Sequence, residues 1–86
     1  MAGTKRDVVA FSLDGKEFEA DRSALTNYKV TKMVANAEND PSGYFEAMER
    51  IFMGRDEEYA ESLGGGAEKV AELYAAAAKA AGAKNS

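Results

Sequence analysis

The chain has 86 residues, with 11 basic and 15 acidic side chains, no cysteine and no histidine. A length of this order predicts one domain, 1–86, with a small core that a partner or self-association would help to stabilise. Without cysteine there is no disulfide framework and no thiolate metal site, and without histidine the usual general base and the commonest metal ligand are missing.

The charge is unevenly spread. Residues 1–34 carry six basic and five acidic side chains, residues 35–63 two and eight, and residues 64–86 three and two. An acidic middle with no compensating basic stripe repels a phosphate backbone, so nucleic acid is not an expected partner. The opening Met-Ala-Gly-Thr-Lys-Arg-Asp has no apolar run after its charges and does not read as a signal peptide. Gly3 does not directly follow Met1, so the myristoylation pattern fails. No segment approaches the ~20 apolar residues of a membrane span. The expected location is therefore a cytoplasm, with no membrane partner.

In chain order, residues 1–7 are polar and expected to be flexible. Residues 8–20 predict a β-hairpin. Apolar Val9, Phe11 and Leu13 recur at every second position, and Asp14-Gly15 is a two-residue turn signal because both residues tolerate positive φ. That turn pairs Leu13 with Lys16, Phe11 with Phe18 and Val9 with Ala20, which places these side chains on one face. Ser12, Glu17 and Glu19 fall on the other. A lone hairpin is unstable in water, so the apolar face must rest on helices.

The helical part spans 22–81. Asp21 or Ser23 can cap a first helix with Leu25, Tyr28, Met33, Val34 and Ala37 as its stripe, and a break is expected near Asn27. Asp40 as N-cap with Pro41 behind it starts the next helix, along which Tyr44, Phe45, Met48, Ile51 and Phe52 follow at helical spacing until Gly54. Asp56-Glu57-Glu58 opens a short helix with acids where the dipole favours them, and Tyr59 and Leu63 form its buried face. Gly64-Gly65-Gly66 predicts a hinge. Residues 67–81 form an alanine-rich last helix with Val70, Leu73, Tyr74, Ala77, Ala78 and Ala81 on one side, capped by Gly82, and 83–86 are a flexible tail. The fold class is thus α+β, an N-terminal β-hairpin packed on a small bundle of three to four short α-helices.

Catalytic candidates fail one by one. Ser12, Ser23, Ser42 and Ser62 have no histidine to activate them and no nucleophile elbow. The acids Asp56, Glu57, Glu58 and Glu61 lack the alternating ligands and central glycine of a calcium loop, and read as a solvated first helical turn. The triple glycine is not followed by Lys-Ser or Lys-Thr and is preceded by a helix rather than a strand, so it is not a phosphate loop. No enzyme, cofactor or metal is expected. The aromatic set Tyr28, Tyr44, Phe45, Phe52, Tyr59 and Tyr74 reads as core from its spacing. For a protein-binding surface, the last helix and the segment before the glycines supply Tyr59, Leu63, Leu73, Tyr74, Ala77 and Ala78, because small side chains admit a partner helix and tyrosine is enriched at interfaces.

The run Phe11-Ser12-Leu13-Asp14-Gly15-Lys16-Glu17-Phe18-Glu19-Ala20-Asp21-Arg22-Ser23-Ala24-Leu25, with Tyr28 after it, resembles the opening of the small tail assembly chaperones of siphophages, whose hairpin has the form LDGKEYE. The helix around Tyr44–Phe52, the segment Arg55–Leu63 and the Gly82-Ala83-Lys84-Asn85 tail are similar to later parts of that family, so the resemblance covers about residues 9–85. It implies a non-enzymatic protein in the cytoplasm of a bacterial host, encoded by a phage or prophage. The implied partner is the tape measure protein, whose apolar helices it keeps soluble while the tail tube polymerises. It also implies a longer frameshifted form of the same chain as a second partner. Lys84-Asn85 is compatible with the slippery heptanucleotide A-AAA-AAC. The alternatives to a chaperone are a minor structural phage protein, such as a connector or tail component, and a generic protein-binding adaptor.

Overall fold

The computed structural model describes residues 7–84. Of the flexible ends expected at 1–7 and 83–86, residues 1–6 and 85–86 lie outside the described residues, whereas Asp7 is tied to Arg22 through backbone and side chain and residues 83–84 continue the last helix. A β-hairpin, β1 (Val8–Leu13) and β2 (Lys16–Asp21), is followed by five helices: α1 (Arg22–Leu25), α2 (Tyr28–Ala35), α3 (Pro41–Ile51), α4 (Asp56–Ser62) and α5 (Ala67–Lys84). The α+β class is as expected, and the helix count is one higher because the first helix is divided. Asp21, rather than Ser23, caps α1 by accepting from the Ser23 amide at 3.0 Å. Asn27 then stops one helix and starts another, its side chain accepting from the Val30 amide at 3.0 Å.

The hairpin register pairs Val9 with Ala20, Phe11 with Phe18 and Leu13 with Lys16. Asp14 and Gly15 both have positive φ, 55° and 78°, as a tight turn matched to strand twist requires. Val9, Phe18 and Ala20 are buried, Phe11 and Leu13 pack against them, and Val8, Ala10, Ser12, Glu17 and Glu19 are exposed. The apolar face is covered chiefly by α5, which lies against β1 and buries Leu73, Ala77 and Ala81 at i, i+4 and i+8. From the other side Met48 and Ile51 of α3, then Phe52 and Tyr59, close the core. Aromatic rings thread it: Phe18 meets Tyr59 edge-on at 4.9 Å, and Tyr59 meets Phe52 edge-on at 5.8 Å. The Tyr59 hydroxyl sits at the margin, accepting from the Glu19 amide at 3.4 Å and from Arg55 Nη1 at 3.3 Å.

Two of the predicted core aromatics are not in it. Tyr28 is 77% exposed, because the break at Asn27 makes it the first residue of a new helix and ends the stripe drawn through it. Phe45 is 61% exposed, at the rim of the α3 apolar arc, while Ala47 takes a buried place. The last helix also differs. Gly82 lies inside α5, which runs on to Lys84. The alanine run has enough propensity to carry the helix through one glycine, at about 1 kcal/mol. Arg22 supports that end: Nη1 donates to the Ala81 carbonyl at 3.2 Å, while Nε pairs with Asp7 at 2.9 Å.

Helices α3 and α4 end in the same way with different residues. After α4 the Gly65 amide reaches the Ala60 carbonyl at 2.7 Å and the Gly64 amide the Glu61 carbonyl at 3.1 Å, with Gly64 at φ 108°. After α3 the Gly54 amide reaches the Glu49 carbonyl at 2.8 Å, but the left-handed residue is Met53, at φ 58°. Nothing stands within 4 Å of a Cβ added at Gly64, so a side chain there strains only the backbone. Gly64→Ala is expected to lower stability by about 1 kcal/mol, read as a lower urea midpoint at unchanged m-value.

Candidate protein-binding groove

Part of the apolar surface that the core does not use lies on α2, around Tyr28 and Met33, and part gathers where α3, α4 and the start of α5 meet. Helix α3 presents Tyr44, Phe45 and Met48, α4 presents Ala60, and α5 presents Ala67 and Val70. The small side chains Ala60 and Ala67 leave a groove of about 400 Å³ between these helices. Met48 is buried at its base, Tyr44 and Val70 are half-buried, and the Phe45 ring stands out beside it, edge-on to Tyr44 at 5.8 Å. Burial, and then the neighbouring Tyr74 phenol, push the Tyr44 hydroxyl above the ordinary phenol range. Asp56 and Glu57 line the same groove and make no ion pair among the described residues. An apolar trough with a free acidic edge suits an amphipathic helix whose apolar stripe is flanked by lysine or arginine.

The residues singled out in the sequence for partner binding do not form this surface. Tyr59, Leu63, Leu73 and Ala77 are buried in the core, Tyr74 packs against it, and only Ala78 of the six is exposed. The small-residue face of α5 is occupied by the chain's own hairpin. The signal for the groove was present in Tyr44-Phe45: adjacent helical positions lie 100° apart, so two large aromatics side by side reach past a narrow buried stripe.

The acids of α4 fan around its first turn, with Glu58 3.8 Å from Arg55, and no group of three or more metal-ligating side chains converges among the described residues. The glycine loop lies between two clasps from the hairpin tip. Lys16 Nζ donates to the Ser62 carbonyl just before it, and Lys69 Nζ pairs with Asp14 at 3.0 Å just after it. The hydrogen bond from Lys69 to Asp14, then the charges of Asp14 and Glu72, raise the Lys69 ammonium above the ordinary lysine value. Among the described residues, no helix is long and apolar enough to cross a membrane.

No protein-family model matches the chain, and neither a curated protein nor a solved structure matches it.

Proposed function

We propose that the protein is a tail assembly chaperone of a long-tailed phage or prophage. It holds apolar helices of the tape measure protein in solution in the host cytoplasm, without catalysis. The observation that carries the reading is the exposed Phe45 beside an apolar, acid-edged groove. A large aromatic left in water at the edge of a trough lined by apolar and small side chains suits capture of a helix rather than a reaction. The likeness of residues 9–85 to the chaperones supplies the identity of the partner. The net charge of −4 keeps such a carrier soluble.

The test is coexpression with the tape measure protein, expected as a very long helical reading frame downstream in the coding DNA. The chaperone should raise the soluble fraction of that protein and copurify with it. Phe45→Glu should weaken the complex at least about tenfold, while its urea midpoint stays within ~0.5 kcal/mol of the parent in stability. Equal solubility with and without the chaperone would sink the reading. Finding the chain in purified virions would favour a structural tail component instead.

A further inference from the structure

We propose that the exposed face of α2 is a second docking surface, one that takes an acidic amphipathic helix of another protein. Tyr28 is the most exposed large apolar side chain among the described residues, and Lys32 lies over its ring at 5.5 Å. Tyr28, Lys29, Lys32 and Met33 line a shallow concavity of about 750 Å³, and none of them belongs to the groove between α3, α4 and α5. Helix α2 carries these two lysines and no acid, in a protein of net charge −4. Neither lysine makes an ion pair among the described residues. Lys29 also sits in the first turn, where the helix dipole disfavours a cation. Helix stability therefore gives no reason for it, and α4 fills its own first turn with Asp56, Glu57 and Glu58 instead. The dipole and the two ammonium groups act in the same direction and make this end of α2 a positive spot on an acidic protein. Asp40, which also lines the concavity, is engaged as the cap of α3, accepting from Ser42 Oγ at 2.9 Å and from the Gly43 amide at 3.2 Å.

The kind of partner follows from the spacing. Lys29 and Lys32 stand one turn apart beside Tyr28, so they match two carboxylates one turn apart on a facing helix. An apolar residue between those carboxylates would cover Tyr28 and Met33 and bury an aromatic that this chain leaves in water. The aromatic would supply most of the affinity and the charges the orientation. A phosphate backbone fits less well, because two cations would hold it against a protein whose overall charge repels the rest of the polyanion. The inference does not rest on the chaperone reading. The groove is edged by acids and suits a helix flanked by lysine or arginine, so the two surfaces would select segments of opposite charge.

The probe is a fluorescein-labelled synthetic helix of about 18 residues, a leucine stripe flanked by glutamates, titrated with the whole chain and followed by anisotropy. It should bind, and more weakly as salt is added. Lys29→Glu with Lys32→Glu, and separately Tyr28→Ser, should each weaken binding at least about tenfold, whereas Lys29→Arg with Lys32→Arg should keep it. Phe45→Glu, which alters the groove, should leave it unchanged. Tyr28, Lys29 and Lys32 are all exposed, so circular dichroism of each α2 variant should match the parent. A peptide still unbound at ~1 mM protein would overturn the proposal. So would binding indifferent to the lysine reversal, or a loss with Phe45→Glu as large as with that reversal, which would place the peptide in the groove. Displacement of the peptide by duplex DNA or by anionic lipid vesicles would overturn it too, and assign the patch to a polyanion.

Discussion

Phe52→Ala is expected to cost about 3–5 kcal/mol, out of a total stability on the order of 5–10 kcal/mol for a domain of this length. Phe52 is fully buried and follows α3 as its C-terminal cap residue, where its amide bonds the Met48 carbonyl at 3.0 Å. Its ring meets Tyr59, which in turn meets Phe18. Truncation therefore opens a cavity between α3, α4 and the hairpin together, and none of these elements can close it without leaving the others. Urea denaturation followed by circular dichroism should show a much lower midpoint at unchanged m-value. A loss under ~1 kcal/mol would mean that the core does not pivot on this ring.

Leu73→Ala should cost about 2–5 kcal/mol by the same mechanism. Leu73 has no exposed surface, and the other buried residues of its stripe, Ala77 and Ala81, are too small to fill the space. The informative comparison lies one turn further along the same helix. Ala78→Glu is on the exposed side and should change stability by no more than ~0.5 kcal/mol. If Leu73 were instead a partner contact, its truncation would leave the urea midpoint near that of Ala78→Glu while abolishing binding. With Leu73 in the core, any loss of binding should track the unfolded fraction.

Local signals in this sequence specify structure more closely than long-range ones do. The Asp14-Gly15 turn and strict alternation defined the hairpin register, because a slip of one residue would turn every buried side chain to the solvent. Asp40-Pro41 marked the start of α3, and Asn27 marked a break, since both act through hydrogen bonds within a few residues of themselves. The end of α5 is not legible at Gly82, because a single glycine competes with a long run of the best helix former. The groove is hidden from the sequence for a different reason. Periodicity identifies an apolar face, but whether the chain's own hairpin or another molecule covers that face depends on tertiary placement. From sequence, Leu73 and Ala77 fit a partner surface but belong to the core, and Phe45 fits the core but stands in water.

The Arg22 clasp has a further consequence for anything joined to the protein. One guanidinium touches both Asp7, near the start of the chain, and Ala81, near the end of α5. Entry and exit therefore share one pole. From Ala67 in the groove wall to Ala81 is about 20 Å of helix at 1.5 Å per residue. A segment fused after α5 would thus be tethered well away from the groove and leave it open. Were the groove to hold a helix as proposed, the linker length would set the effective concentration at which a second binding module meets that helix.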